Sequence, residues 1–230
     1  MGSILAIIPA RGGSKSIKGK NIVDIKGKPL ISFSIETAEK LKELNKISKY
    51  IVSTDSIEIA NISKELGAEV PFLRPGSISE DNSKSIEYID HAINFFIEKN
   101  VFYDAILILQ PTSPLRSLDV MVEAIDKFKD TDADSLISVY KEEYINELVM
   151  YTSKDKKILE PLSNNHNKGI RRQDHGSTYV RNGSIYLTKV SYIKQHRKII
   201  SDFPAMIEMS KLSSINIDTS EDLNLLLNIL

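Results

Sequence analysis

Cysteine is absent from the 230 residues, which removes disulfides, thiolate zinc sites and cysteine nucleophiles in one step. Histidine is scarce, with four scattered residues, so a histidine-built metal cluster lacks material. No stretch approaches the roughly 18 consecutive apolar residues that cross a bilayer. The opening Met1-Gly2-Ser3-Ile4-Leu5-Ala6-Ile7-Ile8 lacks the basic region and the apolar length of a secretion signal, and it reads as a buried strand. A cytoplasmic protein with no membrane partner is the expectation. An excess of one charge is also missing: 30 Lys and Arg stand against 31 Asp and Glu, for a net charge of -1. No global basic field points to nucleic acid, so any anion site must be local. What is present is a 41% hydrophobic content, enough to bury one core, and the default is a single domain over residues 1–230.

Strand and helix patterns alternate along the chain. Ile4 to Pro9 is a continuous apolar run ending in Ala10-Arg11-Gly12-Gly13, the pattern of a strand buried on both faces that runs into a glycine turn. Pro29 suits a first helical turn, and Ile31, Ile35, Ala38, Leu41 and Leu44 follow at helical spacing. Lys49–Ser53 reads as a strand, Ser56 as the cap of a helix that Gly67 terminates, and Ala68–Leu73 as a third strand. Ser83 is placed to cap the helix carrying Ile86, Ile89, Ile93 and Phe96, before an apolar strand over Ala105–Leu109. A helix over Leu118–Phe128 and a strand over Ser135–Val139 continue the rhythm. The pattern predicts an α/β protein with a Rossmann-like, three-layer, mostly parallel sheet. From Tyr140 to Tyr179 the chain turns polar and reads as an inserted arm. Strands at Ser184–Leu187 and Ala205–Ile207 and a helix over Ser220–Leu230 complete the pattern.

The loop after the first strand carries the strongest chemistry. Residues 11–28 hold six cations (Arg11, Lys15, Lys18, Lys20, Lys26, Lys28) and one acid, Asp24, on a protein of near-zero net charge. Three glycines beside Arg11 and Lys20 expose backbone N–H groups to an anion. That combination at the carboxyl end of a first strand suits a triphosphate. Neither Gly-x-x-x-x-Gly-Lys-Ser/Thr nor Gly-x-Gly-x-x-Gly occurs, so the P-loop and dinucleotide readings lose support. The alternative is a solvated lysine-rich loop.

Ile8-Pro9-Ala10-Arg11-Gly12-Gly13-Ser14-Lys15 through Lys20-Asn21 resembles the signature of the acylneuraminate (CMP-sialic acid) cytidylyltransferases. Val52-Ser53-Thr54-Asp55, Leu73-Arg74-Pro75, Leu109-Gln110-Pro111-Thr112-Ser113-Pro114-Leu115-Arg116, Arg171-Arg172-Gln173-Asp174 and Asn182-Gly183-Ser184-Ile185-Tyr186 follow in that family's order and approximate spacing. The resemblance implies that Arg11 and Lys20 hold CTP phosphates and neutralise developing pyrophosphate charge, with Gly12, Asn21 and Arg74 at the nucleotide. Ser83 and Ser85 would lie near cytosine or ribose, although hydroxyls at a helix start are explained equally by capping. Gln110 would contact the sugar acid, against the alternative of a turn residue. Arg172, or Arg181 as a second candidate, would grip the sugar carboxylate with a guanidinium fork. Tyr186 would pack along the sugar, with a core position the favoured reading. Arg116 is expected to support its loop rather than touch substrate.

In-line attack on a triphosphate calls for magnesium held by carboxylate oxygens, phosphates and waters. Ser214-Ile215-Asn216-Ile217-Asp218 supplies a strand-like alternation in which Asn216 and Asp218 share a face. The family carries aspartate at both positions, so Asn216 is a departure. The implied reaction joins CMP from CTP to the anomeric hydroxyl of a nonulosonic acid, such as N-acetylneuraminic or legionaminic acid, with release of pyrophosphate. Pseudaminic and 3-deoxy-octulosonic acid are alternative sugars, and a non-catalytic nucleotide-binding module is the alternative class. The resemblance also implies a homodimer built through the inserted arm.

Overall fold

A computed structural model describes residues 2–14, 16–169 and 176–230. The strands are β1 (Ile4–Pro9), β2 (Asp24–Ile25), β3 (Lys28–Pro29), β4 (Lys49–Ser53), β5 (Ala105–Ile108), β6 (Ser135–Glu142), β7 (Tyr151–Thr152), β8 (Glu160–Pro161), β9 (Thr178–Lys189) and β10 (Ala205–Glu208). The helices are α1 (Ile31–Glu43), α2 (Ile57–Glu65), α3 (Ser85–Ile97), α4 (Leu118–Asp130), α5 (Val190–His196) and α6 (Ser220–Ile229). Six strands form the main sheet in the order β10-β6-β9-β5-β1-β4. Every neighbouring pair runs parallel except those made by β9, which is antiparallel to β5 and β6.

The apolar runs explain the three layers. Along β1, Ile4, Ala6 and Ile8 enter one core cluster while Leu5 and Ile7 enter the other, because successive strand residues face opposite sides. The first cluster gathers Ile31, Ile35, Ala38 and Leu41 of α1 with Met121, Ala124, Ile125 and Phe128 of α4. The second gathers Tyr88, Ile89, Ala92, Ile93 and Phe96 of α3. A third, smaller cluster joins Ile25 and Leu30 to Ile217 and Leu226 of the C-terminal segment. It binds the β2–β3 hairpin to Ile217 and α6.

Several expectations are corrected. Pro29 does not open a helix: it lies in β3, paired with Asp24. The intervening Lys26 and Gly27 have φ of 51° and 95°, the left-handed pair that a two-residue primed hairpin turn requires. Ala68–Leu73 is no continuous strand. It makes only isolated bridges, Ile51 to Glu69 and Thr54 to Leu73, because Pro71 has no N–H to extend a ladder. Ser83 is not the cap of α3, which begins at Ser85 after Lys84. The Glu87 carboxylate accepts the Lys84 N–H at 2.8 Å instead. By contrast Ser56 caps α2, accepting from the Ile59 N–H at 3.3 Å, and Gly67 ends it at φ 85°.

At the two ends of the expected arm the main sheet is prolonged. β6 runs on to Glu142 and pairs with β9 back to Thr178, and the small β7–β8 ladder lies between them in sequence. At the base the register slips between Ile137 and Val139. There Gly183 turns at φ 76°, and the Asn182 side-chain oxygen accepts from Ser138 Oγ and from the Ser184 N–H. The Asn182-Gly183-Ser184 motif is therefore the bulge that redirects β9.

Candidate active site

A cavity of about 600 Å³ opens at the carboxyl ends of β1 and β5. Its wall brings together Arg11, Lys20, Asn21, Arg74, Ser83, Ser85, Gln110 and Asp218 from the residues expected at the site. The β1 loop reaches it under tight control. Ala10 N–H bonds Ser53 O at 3.0 Å, Gly12 N–H bonds Asp55 Oδ1 at 2.8 Å, and Asn21 Nδ2 bonds Arg11 O at 2.9 Å. A Cβ on Gly12 would meet Ser56 Cβ at 3.0 Å, so glycine permits the close approach of the two loops. Gly12 itself sits behind the cavity rather than on its wall.

The far wall comes from the end of the chain. Ile217 N–H bonds Thr112 O at 2.7 Å, which seats Asp218 beside the Gln110-Pro111-Thr112 turn after β5. Asp222 Oδ2 accepts from the N–H groups of Asp218 and Thr219 at 3.0 and 2.7 Å, and from Thr219 Oγ1 at 3.0 Å. These donors, those of Thr219 foremost, and the nearby Lys20 hold the Asp222 carboxyl below its usual range. Thr219-x-x-Asp222 is a capping box, visible in the sequence as a helix-start signature. Its additional grip on the Asp218 backbone needed the fold to appear.

Each expected phosphate ligand is paired with an acid. Arg11 Nη1 lies 2.8 Å from Asp81 Oδ1, and Lys20 Nζ lies 3.0 Å from Asp218 Oδ1. The other Asp218 oxygen accepts from Asn216 Nδ2, and Asn216 Oδ1 is buried without a partner. Asp81 escaped sequence reasoning altogether, since only tertiary folding carries the segment after Gly76–Ile78 to Arg11. Arg74 is buried, donates from Nε to Ser53 Oγ at 3.1 Å, and stacks its guanidinium 4.8 Å from the Tyr88 ring. Burial pushes the Arg74 pKa down. Burial likewise pushes the Tyr88 phenol up to about 12, so Tyr88 is a neutral floor at physiological pH.

Arg116 is buried, donating to Gln110 O at 2.9 Å, Ser184 O at 3.2 Å and Ser34 Oγ at 2.6 Å. Among the described residues it has no acid partner, and desolvation lowers its pKa to about 9, still leaving a cation at neutral pH. Its expected supporting role is what these bonds perform: it clamps the turn that presents Gln110. Tyr186 is 8% exposed and packs in the α3-side core, with the Gly183 bulge next to its hydroxyl. Arg181 is exposed on the outward run of β9, and neither it, Tyr186 nor Asn216 borders the cavity. Arg172 lies outside the described residues, as do Lys15 and the rest of the Arg171–Asp174 motif.

Among the described residues no group of three or more His, Cys, Asp or Glu is placed to hold a metal ion. Of the two expected metal ligands, Asp218 borders the cavity and suits an ion that takes its remaining ligands from phosphates and water, the habit of magnesium, whereas the partnerless Asn216 oxygen is buried off its wall. No helix among the described residues is long and apolar enough to cross a membrane.

A cation-bearing loop and a facing carboxylate at the carboxyl edge of a parallel sheet define an α/β nucleotide-binding enzyme scaffold. The profile of the cytidylyltransferases matches residues 5–227. The chain is 31% identical to the pseudaminic acid cytidylyltransferase of Campylobacter jejuni, over 95% of this chain and 92% of that protein. It is also 31% identical to the CMP-N,N'-diacetyllegionaminic acid synthase of Legionella pneumophila, with the same coverage. The fold matches that of CMP:2-keto-3-deoxy-manno-octonic acid synthetase complexed with CTP, at a TM-score of 0.71 and 15% identity over 99% of this chain and 98% of that one. The chain belongs to the cytidylyltransferase family.

Proposed function

We propose that this enzyme transfers CMP from CTP to the anomeric hydroxyl of a nonulosonic acid, releasing pyrophosphate. The carrying observation is the convergence of Arg11 and Lys20 from one end of the chain, Gln110 from the middle and Asp218 from the other end on one cavity. In the reaction the sugar hydroxyl oxygen forms a bond to the α-phosphorus as the bond to pyrophosphate breaks. Arg11 and Lys20 bind the phosphates and offset the charge that accumulates on the leaving group. Gln110, held by Arg116, orients the sugar acid, with Arg172 or Arg181 as candidate partners of its carboxylate. Asn21 fixes the loop backbone, while Gly12, Arg74, Ser83 and Ser85 shape the nucleotide side. Magnesium, with Asp218 and Asn216 as its protein ligands, would supply Lewis-acid stabilisation of the phosphates. The 31% identical relatives named for pseudaminic and legionaminic acids support a nonulosonic acid as acceptor.

The test is incubation of the purified protein with CTP, magnesium and a panel of N-acetylneuraminic, legionaminic, pseudaminic and 3-deoxy-octulosonic acids, read by the mass of any CMP-sugar. A nine-carbon product is expected. Formation of the octulosonic product alone would reassign the acceptor. Nucleotide binding with no product from any acid would leave the non-catalytic module as the reading.

A further inference from the structure

The two cations assigned to the phosphates do not stand open in this structure. Arg11 is engaged by Asp81 and Lys20 by Asp218, at 2.8 and 3.0 Å, and all four residues line the same cavity. We propose that Asp81 and Asp218 are placeholder counter-ions of the phosphate site, carboxylates that neutralise Arg11 and Lys20 until an incoming polyphosphate displaces them. The inference rests on the nucleotide reading of this cavity but adds a role for Asp81 and a second one for Asp218.

The chemistry of the exchange is balanced in charge. A carboxylate and a phosphate oxygen are both anionic acceptors, and a guanidinium or ammonium turns from one to the other without a change of protonation. The carboxylates can exchange because they are solvated: the Asp81 and Asp218 side chains are 44% and 64% exposed, and water readily takes up the oxygen that a departing guanidinium or ammonium leaves. Lys20 has little solvent of its own, at 15% exposure, so a partner for its ammonium is needed at all times. Asn216 Nδ2 continues to hold Asp218 Oδ2 after Lys20 has moved. A carboxylate at position 216 could not donate that hydrogen bond. The exchange leaves Asp218 Oδ1 unengaged beside the phosphates, so one movement both binds the polyphosphate and exposes an acid to a cation accompanying it.

The test is calorimetric titration in EDTA at low ionic strength, with metal-free CTP and inorganic tripolyphosphate as probes. The proteins are wild type, Asp81→Asn, Asp218→Asn and Glu80→Gln. Glu80 borders the same cavity without an ion pair among the described residues, so its variant reports the general effect of removing one negative charge. Asp81→Asn and Asp218→Asn should each bind both probes about two- to fivefold more tightly, the range of an exposed ion pair. Glu80→Gln should gain less than either. Unchanged affinity in both Asp variants, or an equal gain in Glu80→Gln, overturns the proposal. Tripolyphosphate carries no nucleoside, so tighter binding of it by the Asp variants without CMP-sugar formation by wild type would sink the nucleotidyl-transfer reading and leave the displacement standing. CMP-sugar formation with no gain for either probe would do the reverse.

Discussion

Lys20 reaches the cavity from the three-residue helical turn Lys20–Ile22, which Gly19 enters at φ 63°, and its ammonium points at the opposite wall. Replacing it with alanine removes the cation proposed to face the leaving phosphates. Turnover should fall by about 100- to 1,000-fold, the usual cost of deleting one electrostatic stabiliser, with an unchanged melting temperature. A folded variant with wild-type rates would remove Lys20 from the site. Asp222 acts one step back, through the backbone of Asp218. Asp222→Ala should lose about 1 kcal/mol of stability from the helix cap and raise the magnesium concentration needed for half-maximal rate. Asp222→Asn, which keeps an acceptor, should recover most of the magnesium response. If both variants show the wild-type magnesium dependence, Asp222 is a cap and nothing more.

At the scale of elements, the end of β6 is fastened to the segment after β10 by Glu142 and Lys211, 2.9 Å apart. The N–H groups of Tyr144 and Glu143 also bond the Glu142 carboxylate, and these donors with Lys211 lower its pKa to about 2 from an ordinary value of 4.5. A depressed carboxyl stabilises the fold above its unfolded-state pKa and loses that contribution as pH falls toward its folded-state pKa. Glu142→Gln should therefore melt below wild type at pH 6, and the gap should narrow from pH 4.5 to 2. A gap independent of pH would assign the loss to packing instead. The same scale shows why some elements could be read in the sequence and others not. β1, β4 and β5 are apolar on both faces, and α1 to α4 carry helical periodicity, so local pattern and tertiary burial agree. The β2–β3 hairpin and the β9 bulge are set by left-handed residues, Lys26, Gly27 and Gly183, whose neighbours have no periodic pattern to announce them. β9 also reverses direction inside a sheet whose other strands are parallel, a choice made by the connection rather than by its own residues.

For the whole molecule, the described residues between β6 and β9 gather many of the exposed apolar side chains. Tyr144, Ile145, Val149, Met150, Tyr151, Ile158, Leu159 and Leu162 are all exposed there, while the main sheet buries its apolar residues in three clusters. Exposed apolar side chains grouped in one segment suit an interaction site, and we propose that they form the homodimer contact implied by the sequence resemblance. Sedimentation velocity should give a dimer for wild type and a monomer for Ile158→Asp/Leu159→Asp, and a monomeric wild type would refute the assignment. The candidate site followed the same division as the fold. Arg11, Lys20, Gln110 and Asp218 stand next to strand ends or in motifs that announce themselves. Asp81 and the engaged state of Arg11 depend on contact across 70 residues of chain, for which no local pattern exists.

The Lys20–Asp218 pair spans 198 residues, and Asp218 is seated by the backbone bond from its neighbour Ile217 to Thr112 and by the first turn of α6. During refolding from denaturant, helices and the early strand pairs can form while the two walls are still apart. Catalysis must wait for the last long-range closure. Recovered CMP-sugar synthesis should accordingly trail the return of far-ultraviolet circular dichroism, making activity a clock for the final docking of residues 216–229. Coincident recovery by both probes would mean that this closure belongs to the same cooperative step as the sheet.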